Sequence, residues 1–316
     1  MNIRLGYVAN ALRLEKSTPS GTVTYKTVCK LTDYTDQIGL LTRVARKNLE
    51  NTLRILQDNS FDRIQVYRFT SKLVPLCTHP DFSNWDYCSD LAAEFGKVGD
   101  FVKENRMRVS LHPDHFTLLN SPEPEVITAS LRDLDYHTHI LEAMGLDFSA
   151  KMVIHVGGKY QDRQQAIHRF REQFFRLPDR IKQRLTLEND DRCFTAAEVL
   201  KLTQELQIPM VLDIHHHQIL NNGEALEAIL PEVFATWKEI PPKVHISSPR
   251  DAKNPRYHAD FVSVATVENF IRLTESLGRD FDIMLEAKQK DLALLKLVEE
   301  LRERGFELPD NGRIIL

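Results

Sequence analysis

The stretch PMVLDIHHH, residues 209–217, opens with a strand-like segment, Pro209–Ile214, that carries a carboxylate, Asp213, and runs into three imidazoles, His215, His216 and His217. Seven other segments share its strand-like character: Arg4–Val8, Ile64–Phe69, Arg108–His112, Lys151–Val156, Arg184–Asn189, Lys243–Ser247 and Phe281–Ala287. Stretches of helical period lie between them. Leu41, Ala45, Leu49, Leu53 and Leu56 recur at about four residues, and Ile127, Leu131, Leu134 and Leu141 at threes, fours and a seven. A last helix, roughly Asp291–Arg304, carries Leu294, Leu295, Val298 and Leu301 on one face, and Gly305 stands where a helix stop belongs.

Strands and helices in strict alternation argue for parallel strands joined by helical crossovers. Eight such units in a chain of this length predict an α/β fold, a closed (β/α)8 TIM barrel. The open doubly wound sheet is disfavoured, because no Gly-rich phosphate loop follows the first strand. No linker or composition shift divides the chain, so a single TIM-barrel domain over residues 1–316 is expected. Two connections are long: Asn10–Gly39 after the first strand and Thr70–Asn84 after the second. Both follow strands, which puts them on the face where barrels build active sites.

A chain of 316 residues buries a full core and needs neither metal nor disulfide merely to fold. Its apolar runs fall far short of the roughly 18 residues that cross a bilayer, so no membrane role is expected. Met1–Asn10 lacks the apolar segment and cleavage site of a secretory signal. The four cysteines show no CxxC spacing, which speaks against a zinc ribbon and fits a reducing cytoplasm. A formal charge of −4 excludes blanket electrostatic binding to nucleic acid. If the partner is a polyanion, positive charge must be local, from loops or bound metal.

The twelve histidines carry the chemistry. His112 closes the third strand (RVSLH), His155 the fourth (VIHVGG) and Glu188 the fifth (LTLEND). Asp213 and the His triplet close the sixth. Lys243 and His245 lie on the seventh (KVHISS), Glu286 closes the eighth (IMLEAK), and His258 follows strand seven in a loop. One histidine at a strand end is usually a hydrogen-bonded structural residue. Six consecutive strands delivering His, Asp or Glu to one end of a barrel point instead to metal. Mixed imidazole and carboxylate suits Zn, Mn or Fe, whereas oxygen-only sets suit Mg or Ca. Five histidines and three carboxylates exceed one ion's needs and suggest two or three ions sharing bridging carboxylates, as in sites for in-line phosphoryl displacement.

His137, His139 and His168 lie in helical segments, without acidic partners in register, and read as surface residues. Strict alternation from Asp213 selects His215 and His217, while a turn at the strand end brings in His216. Lys243 shares a barrel side with His245. It is either an interior lysine paired with a carboxylate such as Glu286, or a neutral amine modified to a carbamate and bridging metals. Arg250, Lys253 and Arg256, between His245 and His258, are candidates to hold flanking phosphates.

From RLGYVAN through YRFTSKLVP, SLHPDHF, VIHVGG, LTLEND and VLDIHHH to KVHISSP, YHADF and MLEAK, the sequence resembles the UV damage endonuclease family, barrel repair nucleases related to endonuclease IV. The resemblance implies a cluster of three metal ions, usually Mn2+, with Zn2+ or Mg2+ as alternatives. Its ligands fall on His112, His155, Glu188, Asp213, His216, His245, His258 and Glu286, and Lys243 matches a carboxylated lysine. It favours His216 over His215. Glu188, Lys243, His245 and Glu286 are taken as the catalytic core. Tyr7, Asn10 and the pair His115–Phe116 match lesion-facing positions; some members have Gln–Tyr at that pair. The implied reaction is hydrolysis of the phosphodiester immediately 5′ to a pyrimidine dimer or 6-4 photoproduct, leaving a 3′-hydroxyl and a 5′-phosphate.

The implied partner is double-stranded DNA containing damaged bases, entered by flipping the poorly stacked lesion out of the helix. Three divalent ions would outweigh the carboxylates and the carbamate, so a chain of negative net charge still attracts phosphate at this site. A monomer is expected, cytoplasmic and nucleoid-associated when acting on DNA. An abasic-site endonuclease on the same scaffold is the nearest alternative, then a metal-dependent sugar isomerase or epimerase, then a lesion binder without catalysis. The tail Arg313–Leu316 suggests no role.

Overall fold

The computed structural model describes residues 1–316. Its strands are β1 (Asn2–Val8), β2 (Val66–Arg68), β3 (Arg108–Leu111), β4 (Lys151–His155), β5 (Leu185–Glu188), β6 (Met210–Asp213), β7 (Lys243–Ile246), β8 (Pro249–Asp251), β9 (Asn254–His258), β10 (Phe281–Leu285) and β11 (Arg313–Ile315). Strands β1 to β7 and β10 pair in parallel, each with its neighbour in the chain, and β10 closes on β1 with Ile3 opposite Phe281 and Tyr7 opposite Leu285. A principal helix follows each barrel strand: Tyr34–Phe61, Ala92–Glu104, Pro124–Ala143, Arg163–Arg176, Ala196–Leu206, Leu226–Ala235, Val264–Thr274 and Lys290–Glu303. The fold is the (β/α)8 TIM barrel that the alternation predicts. No helix is long and apolar enough to cross a membrane.

Period-2 alternation sorts each strand into two faces. On β1, Ile3, Leu5 and Tyr7 join the main hydrophobic core between barrel and helices, whereas Val8 packs with Val66 and Met284 inside the barrel. Gly6 also faces inward. A Cβ there would lie 2.4 Å from the Val66 carbonyl oxygen, so only glycine lets β1 and β2 approach this closely. At the barrel's base, the carboxylate of Asp282 is wholly buried between two guanidinium groups. Arg4 Nε lies 2.7 Å and Arg108 Nη1 2.5 Å from it. The inward register thus runs from an ion-paired base, through a middle of Gly6, Val66 and Met284, to a mouth ringed by ionisable groups.

Two elements escape the sequence reading. The antiparallel hairpin β8–β9 lies where a plain loop is expected and carries Arg250, Lys253, Arg256 and His258. Strand β11 is the other. It pairs antiparallel with the start of β1, with Ile314 opposite Ile3 and fully buried. The tail therefore closes the side of β1 that β2 occupies only from Gly6 onward.

The first long connection ends earlier than expected. Asp33 caps the helix beginning at Tyr34 by accepting from the amides of Thr35 and Asp36. Both long connections are ordered around one side chain, Asn48 on that helix. Its amide nitrogen donates to the carbonyls of Gly21, Lys72 and Leu73, and its oxygen accepts from the Gly21 amide at 2.8 Å. Asn48→Ala is expected to cost about 2–4 kcal/mol, because several largely buried backbone groups lose partners. Denaturant titration and limited proteolysis at residues 18–24 and 70–75 would measure it. A loss below about 1 kcal/mol with unchanged cleavage would refute the staple.

Candidate metal centre

Several of the candidate side chains stand at strand ends and are fixed by local turns. After β5, Asp190 accepts from the amides of Arg192 and Phe194, and Thr195 with Glu198 forms a capping box on the next helix. This turn holds Glu188 and Asn189 at the barrel mouth. After β4, Gly157 adopts φ 112°, and a Cβ there would meet Asn120 Oδ1 at 2.3 Å. Gly157, in the VGG that follows His155, is thus a packing requirement. After β6, Asp213 itself caps the short helix Ile214–Ile219, accepting from the His216 amide at 2.7 Å. The strand therefore ends at Asp213 and not at Ile214, and helical spacing, not strand alternation, presents the three histidines.

That change of spacing separates them. His215 is buried and engaged at both nitrogens: Nε2 donates to the Pro255 carbonyl at 2.7 Å, and Nδ1 accepts from Ser247 Oγ at 2.7 Å. It pins the β8–β9 hairpin. His216 Nδ1 donates to the Asn189 carbonyl at 2.9 Å, which leaves Nε2 free to hold a metal. His217 is buried outside the cluster. His215→Leu is expected to speed amide hydrogen exchange across residues 249–258 by about tenfold or more, since one hydrogen bond holds Pro255. Exchange in β6 should be unchanged, and equal protection of the hairpin would refute the role.

Three groups of donor atoms come within 4.8 Å of one another: His112, His155 and Glu188; Glu188, Asp213 and His216; Glu188, His245 and Glu286. Glu188, almost wholly buried, belongs to all three. His112 Nε2 lies 3.0 Å from Glu188 Oε2, and His245 Nδ1 lies 2.6 Å from Glu188 Oε1 and 3.2 Å from Glu286 Oε1. His258, at the end of β9, stands at the rim, 3.9 Å from Glu286. Lys243 lies deeper. Its amine donates to Ser110 Oγ at 3.0 Å rather than pairing with Glu286.

The donors fit divalent cations. Asp213 Oδ2 and His245 Nε2 are buried without a hydrogen-bond partner. His112 faces two acceptors, the Pro113 carbonyl at Nδ1 and Glu188 at Nε2, yet a neutral imidazole has one N–H. A cation beside Glu188 removes the His112 conflict and gives Asp213 Oδ2 a partner. Burial would raise the Glu188 carboxyl, but His245, His155 and His112 outweigh it and hold it well below the usual carboxylate range. Burial pushes Asp213 up to about 7, with Glu188 and Glu286 reinforcing the rise against His216. His216, despite burial, is lifted to about 9 by Asp213 and Glu188. Burial holds the Lys243 amine well below the ordinary lysine range, and the neighbouring Arg108 adds to the effect.

Of the residues matched to lesion contacts, Asn10 borders the opening, half-buried. His115 and Phe116 project into solvent from the loop after β3, with side chain and residue 74% and 69% exposed and their rings 3.9 Å apart. Tyr7 corrects the expectation. It has no exposed area, points between barrel and helices, and donates to Asn59 Oδ1 at 2.7 Å. Strand parity with Leu5 turns it away from the mouth. Arg250 stacks over Tyr257 at 5.0 Å on the hairpin, Arg256 approaches Asp191 at 3.4 Å, and Lys253 is exposed at the hairpin turn.

His137 is a second correction. It is fully buried, with Asp133 four residues earlier at 3.4 Å, and His139 likewise has Asp135 at 3.5 Å; only His168 is an exposed residue. The acidic partners in register were present in the sequence. Arg68 is the residue missed outright: it ends β2 inside the barrel and is ion-paired with Glu286. Strand parity with Val66 was the available signal.

Comparisons with known proteins follow the same lines. The family model described as UV-endonuclease UvdE matches residues 3–308. A UV DNA damage endonuclease of Bacillus cereus (strain B4264) is 43% identical over 303 residues, 95% of each chain. One of Bacillus mycoides (strain KBAB4) is 43% identical over 310 residues, 97% of each. The crystal structure of SacUVDE superposes with a TM-score of 0.85 at 32% identity, covering 96% of this chain and 99% of that one. Endonuclease IV from Thermus thermophilus, at TM-score 0.56 and 11% identity over 95% of this chain and 99% of that one, shares the barrel alone. A D-psicose 3-epimerase from Clostridium cellulolyticum, at 0.51 and 10% over 74% and 78%, does likewise. Nearly the whole chain is matched by one family, in sequence and in fold, and the chain belongs to the UV-endonuclease UvdE family.

Proposed function

We propose that this chain is a metal-dependent DNA repair endonuclease, a hydrolase that nicks the phosphodiester immediately 5′ to pyrimidine dimers and 6-4 photoproducts, leaving a 3′-hydroxyl and a 5′-phosphate. The observation that carries the reading is the set of three donor groups sharing Glu188 at the barrel mouth, in a chain of this family. His112, His155, Glu188, Asp213, His216, His245, His258 and Glu286 would hold divalent ions, in our reading three Mn2+. Such ions supply Lewis acidity at phosphoryl oxygens and lower the pKa of coordinated water.

The chain's own residues supply position and charge. Asn189 orients His216, the Asp213 cap fixes its helix, and Arg68 steadies Glu286. Ser110 holds the neutral Lys243 amine, the form in which Nζ adds to carbon dioxide and loses a proton to give a carbamate. Lys243, Glu188, Glu286 and His245 form the catalytic core of the proposal. The exposed pair His115–Phe116 probes the lesion. Asn10 lines its approach, and Arg250, Lys253 and Arg256 hold flanking phosphates. The substrate is double-stranded DNA with damaged bases, acted on by a monomer in the cytoplasm.

Two end-labelled duplexes test this, one with a pyrimidine dimer and one with an abasic site, each with Mn2+ and with excess chelator. A chelator-sensitive cut directly 5′ to the dimer is expected. Cutting at the abasic site alone would move the substrate to that lesion. Ion uptake is also expected to release protons, because ligands must be unprotonated to bind. With Asp213 at about 7 and His216 at about 9 in the ion-free chain, Mn2+ affinity should climb from about pH 6 to 9. Calorimetry in two buffers of different ionisation enthalpy reads the released protons directly. A flat pH profile would remove both residues from the ligand set.

A further inference from the structure

On the side of the mouth formed by β1, β2 and β10, Arg68 is paired with Glu286, and a second cation, Lys290, follows that carboxylate four residues later. Arg68 projects from β2 with its side chain 14% exposed, and only Nη1 is engaged, by Glu286. Its Nε and Nη2 make no hydrogen bond to protein. Lys290 opens the helix Lys290–Glu303, four residues after Glu286, and its half-buried amine pairs with no carboxylate.

The segment that presents Lys290 is fixed. Lys288 and Gln289 donate their amides to the carbonyls of Ala259 and Asp260 at 3.0 Å, and Lys290 itself is held at φ 49°. A left-handed conformation in a non-glycine residue costs free energy and persists where surrounding contacts impose it. The two cations act on each other. Burial lowers the Lys290 amine, and the charge of Arg68 lowers it further, against Glu286.

Two half-enclosed cations with a single carboxylate pairing, that of Arg68 with Glu286, keep an uncompensated positive charge. The ligand that completes it is an oxyanion. The free edge of a guanidinium offers two parallel N–H groups that match phosphate, and a lysine amine adds a point charge. We propose that Arg68 and Lys290 form a phosphate clamp that takes one backbone phosphate of the DNA strand, on the β10–β1–β2 side of the metal-facing donors. The clamp rests on the endonuclease reading. A strand at the mouth is then gripped at two places: by the hairpin that follows β7, and by Arg68 and Lys290 beside β10 and β2.

The test is the salt dependence of kcat/KM for nicking a dimer-containing duplex by the Mn2+-loaded protein, for wild type, Lys290→Gln, Lys290→Arg and Arg68→Lys. Lys290→Gln should lower kcat/KM about tenfold at moderate salt. It should also flatten the slope of log(kcat/KM) against log[salt] by about 0.9, one phosphate's worth, with bound manganese per chain unchanged. Lys290→Arg should restore both. Arg68→Lys keeps a charge for Glu286 but loses the fork, so it should lower kcat/KM while retaining manganese. A Lys290→Gln protein with wild-type rate and slope overturns the clamp, as does one whose loss tracks lost manganese. A wild-type protein that nicks no duplex overturns the endonuclease reading and the clamp with it. Normal wild-type nicking with insensitive variants removes the clamp alone.

Discussion

Glu188→Gln is expected to lower the nicking rate by about three orders of magnitude or more, with manganese binding reduced at every site. Glu188 belongs to all three donor groups, and its two oxygens face His112 and His245 at 3.0 Å and 2.6 Å. Glutamine keeps the volume but removes the charge and replaces one acceptor oxygen with a donor nitrogen. Each Lewis-acid interaction supplies several kcal/mol of transition-state stabilisation, at about 1.4 kcal/mol per tenfold in rate. A comparison with His258→Gln sharpens the test. His258 is at the rim, outside the three groups, so its replacement should cost less. Metal content by mass spectrometry, with single-turnover nicking, reads both variants. A Glu188→Gln protein with normal metal content and activity would remove the shared carboxylate from the mechanism.

Asp282→Asn is expected to be the most destabilising polar substitution, by about 3–5 kcal/mol, without loss of metal binding. Asp282 is wholly buried at the far end of the barrel from the donors, between Arg4 and Arg108. Arg108 is itself 8% exposed, with Nη2 lacking a partner. Burial lowers the Arg108 guanidinium, and Asp282 is the largest influence restoring it. Removing the carboxylate strands a cation where water does not reach, and that uncompensated charge dominates the cost. A denaturant midpoint shifted at constant slope, with wild-type manganese content, is the expected result. A change under about 1 kcal/mol would mean that Arg108 is satisfied by the Pro241 carbonyl, 2.6 Å away.

Strand ends were the legible part of this protein. Parallel strands buried on both faces leave short apolar runs, and the ionisable residue that closes each run stands out against them. The fold and the set His112, His155, Glu188, Asp213, His245 and Glu286 could therefore be read without coordinates. Arg68 was equally placed, at the end of a strand and of inward parity, but an arginine does not attract notice among metal-ligand residue types. Tyr7 was carried into the site by resemblance, although its parity with Leu5 sends it outward. His137 and His139 had Asp133 and Asp135 four residues earlier, a helical pairing visible in the sequence.

The choice within His215–His217 belongs to another level. Strand and helix present consecutive residues at different angles, and Asp213 turns the chain from one to the other through a cap on His216. His215 finds its partners, Ser247 and Pro255, 32 and 40 residues away. The same holds for the β8–β9 hairpin, which His215 pins, and for the tail, whose Ile314 is buried only because β1 has an open edge beneath β2. The sequence by itself determined which strands end in residues of metal-ligating type, since periodicity and residue chemistry are local properties of the chain. Tertiary structure alone decided that one carboxylate, Glu188, is common to three donor groups, and how the turn at Asp213 brings His216, the imidazole the resemblance favours, to it. Barrel closure brings together strand ends far apart in the chain, and only that closure sets the distances between them.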